Sequence, residues 1–393
     1  MLIDLLLCSQ TLVGLHLDDL DALNYIQSQL NIGVVRVLKD ECKYVITKKE
    51  DIEKLMSIFD RFNLNTTKHL DYLDFKKAFN LYFSRENGLT EELKKQILYL
   101  KDSMNKKRTN FDMPIDHNII ITKSWLLGLI EGEGSFQLWR NDLVAVFSLV
   151  LTERQLPVLE KIKEFLFNDL DFDLYSKFKL NSSSAITINH QKARKNSKAS
   201  VLFIIKNIYI LNNYLVPYLE NMTFITKKGK DFKDFKLICN LLYNGAHKND
   251  EIKGVPPCFA TGVSLILKLS NTRPSGGPLN NFRLSTNPEQ VESLNSTEKS
   301  LLVNASPLVK HLDDGRQIDL RTDKIIHQHS SSIYKVIKPN KDMVLLKTLF
   351  EAADIVDVDI RTLSKLLTVV DSDAVEVKGN LVKRIAVFFK NKK

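Results

Sequence analysis

The residues best suited to chemistry in this chain are two carboxylates at the foot of an apolar segment. The stretch runs Ser124-Trp-Leu-Leu-Gly128-Leu-Ile-Glu131-Gly132-Glu133-Gly134. A glycine at helix-interior spacing costs about 1 kcal/mol relative to alanine. Gly128 is therefore expected where a second helix approaches closely, while Gly132 and Gly134 allow a tight exit that leaves the acids unencumbered. A carboxylate at the bottom of a packed helix, opposite a second one, would hold a divalent cation beside a phosphate. Read in isolation, Glu131 and Glu133 would simply stop a helix.

Two lysines gain weight from an internal repeat. Residues 64–76 match residues 224–236 without a gap: Thr66, Lys68, Asp71, Asp74, Phe75 and Lys76 coincide with Thr226, Lys228, Asp231, Asp234, Phe235 and Lys236, at an offset of 160. Upstream, residues 15–26 align with 151–162 at an offset of 136, so the second copy carries 24 more residues between the blocks. Helical periodicity constrains only apolar positions, so matching polar ones argue for duplication.

The elements that must position these residues follow in the same order twice. Asp18, Asp19 and Asp21 crowd the first turn of a helix, where the macrodipole favours acids, and Leu20, Leu23, Ile26 and Leu30 give it helical spacing. Strands are expected around Val34–Val37 and Tyr44–Ile46, and helices over 51–59 and 67–83. A polar segment from Lys101 reads as a linker. From Ser124 a helix, strands, a helix, strands and a helix return, ending near Tyr243. The organisation expected is a first repeat over 1–100, a linker over 101–123, a second repeat over 124–245, a loop-rich connector over 246–298 and a small α+β end over 299–393.

The chain has 393 residues, 44% hydrophobic and 26% charged, a soluble globular balance that excludes a disordered, fibrous or polytopic membrane protein. Lys plus Arg is 56 against 47 acids, a net +9 that favours an anionic partner. Four cysteines without paired spacing read as reduced thiols. The first eight residues have neither the basic flank nor the apolar core of a signal peptide, and the apolar run 201–219 is interrupted by Lys206, Asn207, Asn212, Asn213 and Pro217. No membrane partner is expected.

Leu126-Leu-Gly-Leu-Ile-Glu-Gly-Glu-Gly134 resembles the motif of the LAGLIDADG homing endonucleases, and the repeated Thr-x-Lys…Asp…Asp-Phe-Lys block resembles the later part of that family's repeat. The resemblance spans residues 11–245. It implies an α+β fold of two pseudo-symmetric αββαββα repeats, with paired motif helices and sheets saddling the major groove of double-stranded DNA as a monomer. It also implies that Glu133 binds a catalytic Mg²⁺, helped by the Gly132 carbonyl, and that Lys228 and Lys68 lie near the scissile phosphates. A motif in the first repeat would fall before residue 1, so that repeat is expected to lack its motif helix and first strand; either an upstream segment completes it or this copy is degenerate, and the chain as written is expected to cleave poorly or not at all.

In the strand after the motif, Phe136 and Leu138 face one way and Ser135, Gln137 and Trp139 the other, followed by Arg140. Gln137 and Arg140 suit base edges and phosphates. Lys192, Arg194 and Lys195, in the long loop region of the second repeat, are candidates for phosphate contacts. Near the C-terminus, residues 345–367 read as two short helices about a turn, with Ala352 and Ala353 permitting a close crossing, Leu363 and Leu366 packing back, and Arg361, Thr362 and Lys365 exposed as in a recognition helix. This is similar to the helix-turn-helix modules appended to homing nucleases. Residues 375–385 read as a hairpin turning at Gly379-Asn380. Three readings result: an intron-encoded, Mg-dependent, mitochondrial DNA endonuclease; a maturase holding its host intron RNA; or a reading frame that has lost activity.

Overall fold

The computed structural model describes residues 10–85, 88–139, 143–170, 186–193, 198–246, 296–311, 317–326, 330–346, 348–367 and 374–389. Its first unit runs β1 (Gln10–His16), a single 3-10 turn (Leu17–Asp19), α1 (Leu20–Leu30), β2 (Val34–Val37), β3 (Glu41–Ile46), α2 (Lys49–Arg61) and α3 (Lys68–Phe83). Helix α1 ends on Asn31, held left-handed at φ 51°. Its Leu23 packs with Cys42, Tyr44 and Ile46 of β3, Ile52 and Met56 of α2, and Tyr72 and Phe79 of α3 in one small core. The strands pair antiparallel in the order β1-β3-β2.

After α4 (Glu91–Asp102), the second unit runs α5 (Lys123–Glu133), β4 (Gly134–Trp139), β5 (Val144–Thr152), a 3-10 turn (Glu153–Gln155), α6 (Leu156–Asp169), β6 (Thr187–Gln191) and β7 (Ser200–Ile205). Helix α7 follows as Ile208–Ile210, a π-helical turn Leu211–Leu215 and Val216–Glu220, and then comes α8 (Lys228–Tyr243). The sheet order is β4-β5-β7-β6. Removing β4 leaves the order of the first sheet, and α8 is α3 displaced by 160 residues at both ends. The Lys76–Asp60 ion pair that ties α3 to α2 recurs as Lys236–Glu220 between α8 and α7. Among the described residues the first sheet thus has no counterpart of β4, and no counterpart of α5 precedes it.

Helix α5 begins on Thr122, whose hydroxyl accepts from the Trp125 N–H at 3.2 Å. Leu126 and Ile130 bury its inner face in the second core. At its exit a glycine is required: a Cβ on Gly134 would stand 2.5 Å from the Ile130 carbonyl oxygen. Gly128 is different. A Cβ there would meet nothing within 4 Å, so the close helix approach expected from the sequence is not made by any described residue.

The segment expected as a polar linker is fastened to the first unit. Helix α4 packs Ile97 and Leu100 against Ala78 of α3. Beyond it, Arg108 donates from Nε to Asp71 Oδ1 at 2.8 Å and from Nη2 to Asp74 Oδ2 at 2.5 Å, and the Asn105 N–H donates to Asp71 Oδ1 at 2.9 Å. The Asn65 amide brackets the backbone of Ile120, donating to its carbonyl and accepting from its N–H. His117 lies over His69 with ring centroids 4.4 Å apart. Spacing alone shows none of this, because the partners lie 34–55 residues away.

The C-terminal residues divide between two supports. Helix α9 (Ser296–Val303) sends Leu302 into the second core. Strands β8 (Val309–His311), β9 (Gln317–Asp319) and β10 (Lys324–Ile326) form a small sheet beside it. Asn244, just past α8, accepts from the N–H groups of Leu308 and Val309, and His311 stacks on Tyr243 with centroids 3.7 Å apart. A separate core joins a four-stranded sheet, ordered β12-β11-β14-β13, to a helix pair. Its elements are β11 (Ser330–Ile337), β12 (Met343–Leu346), α10 (Leu349–Ile355), α11 (Ile360–Leu366), β13 (Ala374–Val377) and β14 (Asn380–Phe389). A capping box between Thr348 and Glu351 starts α10. Ala352, Ala353 and Leu363 are buried as expected, but Leu367 packs in place of Leu366, because one helical turn from Leu363 falls on 367. The hairpin turn is one residue earlier than expected: Lys378 and Gly379 both take positive φ, as a two-residue primed turn demands, and Val377 pairs with Asn380. Among the described residues no helix is long and apolar enough to cross a membrane.

Candidate functional site

The two acids of α5 have separate duties. Glu131 Oε1 accepts from the N–H of Ile225 at 2.7 Å, the N–H of Thr226 at 2.8 Å and the Thr226 hydroxyl at 3.2 Å. These are donors of the turn entering α8, where a negative charge is favoured. Glu131 therefore ties the foot of the motif helix to the residues that precede Lys228. Glu133, half-buried, is the last residue of α5. Lys228 extends from the first turn of α8 and donates from Nζ to the Gly134 carbonyl at 2.7 Å, one residue past Glu133. Carboxylate and ammonium, 95 residues apart in sequence, are thus gathered at one helix end.

Lys68 occupies the equivalent place on α3, but its surroundings differ. Its Nζ donates to Asp71 Oδ2 at 3.1 Å and to Asn105 Oδ1 at 2.9 Å, and its side chain is 65% exposed. Burial raises the Asp71 carboxyl, but hydrogen bonds from Asn105, Arg108 and Lys68 outweigh it and hold the group below the ordinary carboxylate range. The linker, through Asn105, supplies the oxygen that a helix-end carbonyl supplies to Lys228.

Strand β4 alternates as expected. Phe136 and Leu138 pack on the second core, with the Phe136 ring 5.1 Å from Phe235. On the other face the Gln137 amide donates to Ser135 Oγ at 2.8 Å, and Trp139 is exposed with Lys206 over its ring. Lys192 is exposed just past β6. Arg140, Arg194 and Lys195 lie outside the described residues. Arg361, Thr362 and Lys365 are exposed on α11, which packs in the separate C-terminal core.

The pattern of the LAGLIDADG endonuclease family matches residues 8–79 and 126–239. Each of the chain's two repeats is similar to that family over the stretch matched. The first match takes in Lys68, with no motif helix ahead of it among the described residues, and the second takes in Glu131, Glu133 and Lys228. The chain is 33% identical over 187 residues to Cox1-I1b of Schizosaccharomyces pombe, named a probable intron-encoded endonuclease, covering 44% of this chain and 45% of that protein. It is 24% identical over 281 residues to the mitochondrial protein RF1 of Saccharomyces cerevisiae, covering 70% of this chain and 56% of that one. The chain thus spans about half the length of these relatives. In fold it is similar to the LAGLIDADG homing endonuclease I-GzeII, solved in complex with its DNA target, with a TM-score of 0.52 at 22% identity over 67% of this chain and 87% of that one. I-SmaMI, solved on uncleaved DNA in the presence of calcium ions, gives a TM-score of 0.51 at 20% identity over the same shares.

The LAGLIDADG motif here offers a metal hard oxygen donors only, the Glu133 carboxylate and the neighbouring backbone carbonyls, the donor chemistry of Mg²⁺ and Ca²⁺. Among the described residues no group of three His, Cys, Asp or Glu side chains converges. The donors fit a cation that takes one carboxylate and completes its shell with water and phosphate, as Mg²⁺ does. They form no all-protein cage.

Sequence reasoning assigned Glu131 no metal-binding part, read Asp19 only as an acid at a helix start, and passed over Gln155, Asn105 and Arg108. Asp19 and Gln155 had a signal, since they share the 136-residue offset. Asn105 and Arg108 had none, since their role arises from packing.

Proposed function

We propose that this chain is an intron-encoded, site-specific DNA endonuclease of mitochondrial origin that hydrolyses phosphodiesters at its homing site. The observation that carries this reading is the Lys228–Gly134 hydrogen bond, which holds an ammonium beside the carboxylate-bearing end of the motif helix. Glu133 and the Gly132 carbonyl would hold Mg²⁺, which when bound supplies charge neutralisation of the phosphate and a more acidic water. Lys228 offers positive charge to the phosphate oxygens as charge builds on them in the transition state. Gln137 and Trp139 lie on the open face of β4, from which the former can read base edges, and Lys192 offers a phosphate contact from the end of β6. Arg361, Thr362 and Lys365 of α11 would extend the contact to flanking duplex as part of a helix-turn-helix module.

Only one carboxylate-bearing motif occurs among the described residues, and Lys68 is paired with Asp71 and Asn105. The expected product is therefore a nick in the strand attended by Glu133 and Lys228. The same asymmetry favours, as a second reading, a maturase that uses the saddle to hold intron RNA. A supercoiled plasmid carrying the intronless junction of the host gene, incubated with the full chain and Mg²⁺, tests both. Open-circle product that disappears in Glu133→Gln supports the first reading. Rapid linearisation would overturn the single-site account, and an inert plasmid together with tight binding of the host intron RNA would favour the second.

A further inference from the structure

Each lysine-bearing turn is fastened from the opposite repeat. In the second repeat the Lys227 N–H donates to Asp19 Oδ1 at 2.7 Å. In the first, the Thr67 N–H donates to Gln155 Oε1 at 3.3 Å, and Gln155 Nε2 donates to the Thr67 hydroxyl at 2.6 Å. Asp19 and Gln155 are separated by the 136-residue offset of the upstream block, and Thr67 and Lys227 by the 160-residue offset of the downstream block. One contact is therefore made twice, in opposite directions across the pseudo-two-fold. Both fastening residues close a 3-10 turn that leads into a helix, Leu17–Asp19 before α1 and Glu153–Gln155 before α6.

The remainder of each turn is held locally and alike. Lys228 N–H meets Thr226 Oγ1 at 3.2 Å, as Lys68 N–H meets Thr66 Oγ1 at 3.4 Å. What differs is charge. Asp19, only 7% exposed, brings a carboxylate to a helix N-terminus, where it is favoured, and Asp18 adds an ion pair to Lys227 Nζ at 3.4 Å. Gln155 brings a neutral amide, and Arg154, the counterpart of Asp18, lies instead over the Phe111 ring. The residue fastened is in each case the one immediately before the lysine, so a rotation of that peptide swings the lysine directly.

We infer that Asp19 and Gln155 are reciprocal positioning residues: the first repeat sets Lys228, the second sets Lys68, and Lys228 is the more firmly set of the two. The functional weight of this inference rests on the endonuclease reading, but its test needs no cleavage. Full-length protein is treated with a limiting amine acylating reagent, and modification is quantified lysine by lysine by mass spectrometry. Asp19→Ala should raise modification of Lys228 at least threefold, as its hold on the Gly134 carbonyl loosens, and leave Lys68 unchanged. Asp19→Gln, which imports the side chain used by the other repeat, should return Lys228 to within twofold of wild type. Gln155→Ala should leave Lys228 unchanged. The inference is overturned if Lys228 does not respond to Asp19→Ala, if Asp19→Gln fails to rescue it, or if lysines throughout the chain rise together, which would mark a general loosening.

Discussion

Replacing Glu131 with alanine removes the link between the motif helix and the turn that carries Lys228. Two backbone N–H groups, at 2.7 and 2.8 Å from one carboxylate oxygen, lose their acceptor, and the Thr226 hydroxyl loses a contact at 3.2 Å. A hydrogen bond to a charged group contributes about 1.5–3 kcal/mol, and a buried donor left without a partner costs a similar amount. The side chain is half-buried, so water replaces part of what is lost, and the expected destabilisation is about 2–4 kcal/mol. In a cooperative unit of this size each kcal/mol lowers the melting temperature by roughly 2–4 °C, giving a fall of about 5–15 °C. Thermal unfolding of the full chain followed by circular dichroism measures it. Glu131→Gln keeps one acceptor oxygen and should lose about half as much. A melting temperature for Glu131→Ala within about 1 °C of wild type would refute the reasoning, as would equal losses in both variants, since the argument depends on acceptance at one oxygen.

Two other perturbations test the linker. Arg108→Met leaves Asp71 and Asp74 facing each other without their shared cation; the Arg108 side chain is only 10% exposed, so destabilisation of about 2–4 kcal/mol is expected by denaturant titration, and Asp71→Asn in the same chain should recover part of it. The pH profile should carry the signature of the His69–His117 pair. Burial lowers the pKa of both imidazoles, the neighbouring His117 pushes His69 further down, and Asp116 opposes the shift in each. The unfolded chain therefore binds more protons than the folded one below the ordinary histidine value of about 6.5. Stability should be complete above that value and fall as pH drops through it, and His117→Phe, which keeps a ring against His69, should flatten the melting-temperature profile between pH 5 and 7.

Much of the architecture was legible because it is written in local chemistry. The acids opening α1, the glycine exit of α5 and the alternation of β4 are each decided within a few residues by sterics and period. The duplication was legible because Thr66, Lys68 and Asp71 recur at a fixed offset, which no pattern of burial would enforce. The shift of the C-terminal turn to Lys378-Gly379 and the burial of Leu367 were not, because register depends on the strand and helix packed opposite.

The sequence by itself determined the fold class, the two repeats and the acids and lysines suited to phosphoryl chemistry, since residue type and spacing carry that information directly. Only the tertiary structure decided how those residues are supported. It joined Lys228 to the end of α5, gave Glu131 to the turn entering α8, crossed Asp19 and Gln155 between repeats, and folded Asn105 and Arg108 onto Lys68, Asp71 and Asp74. These contacts join residues 34 to 208 apart in the chain. At such separations a hydrogen bond is fixed by how helices and sheets pack; the repeat offsets mark Asp19 and Gln155 as equivalent positions, but spacing along the sequence does not say what either of them touches.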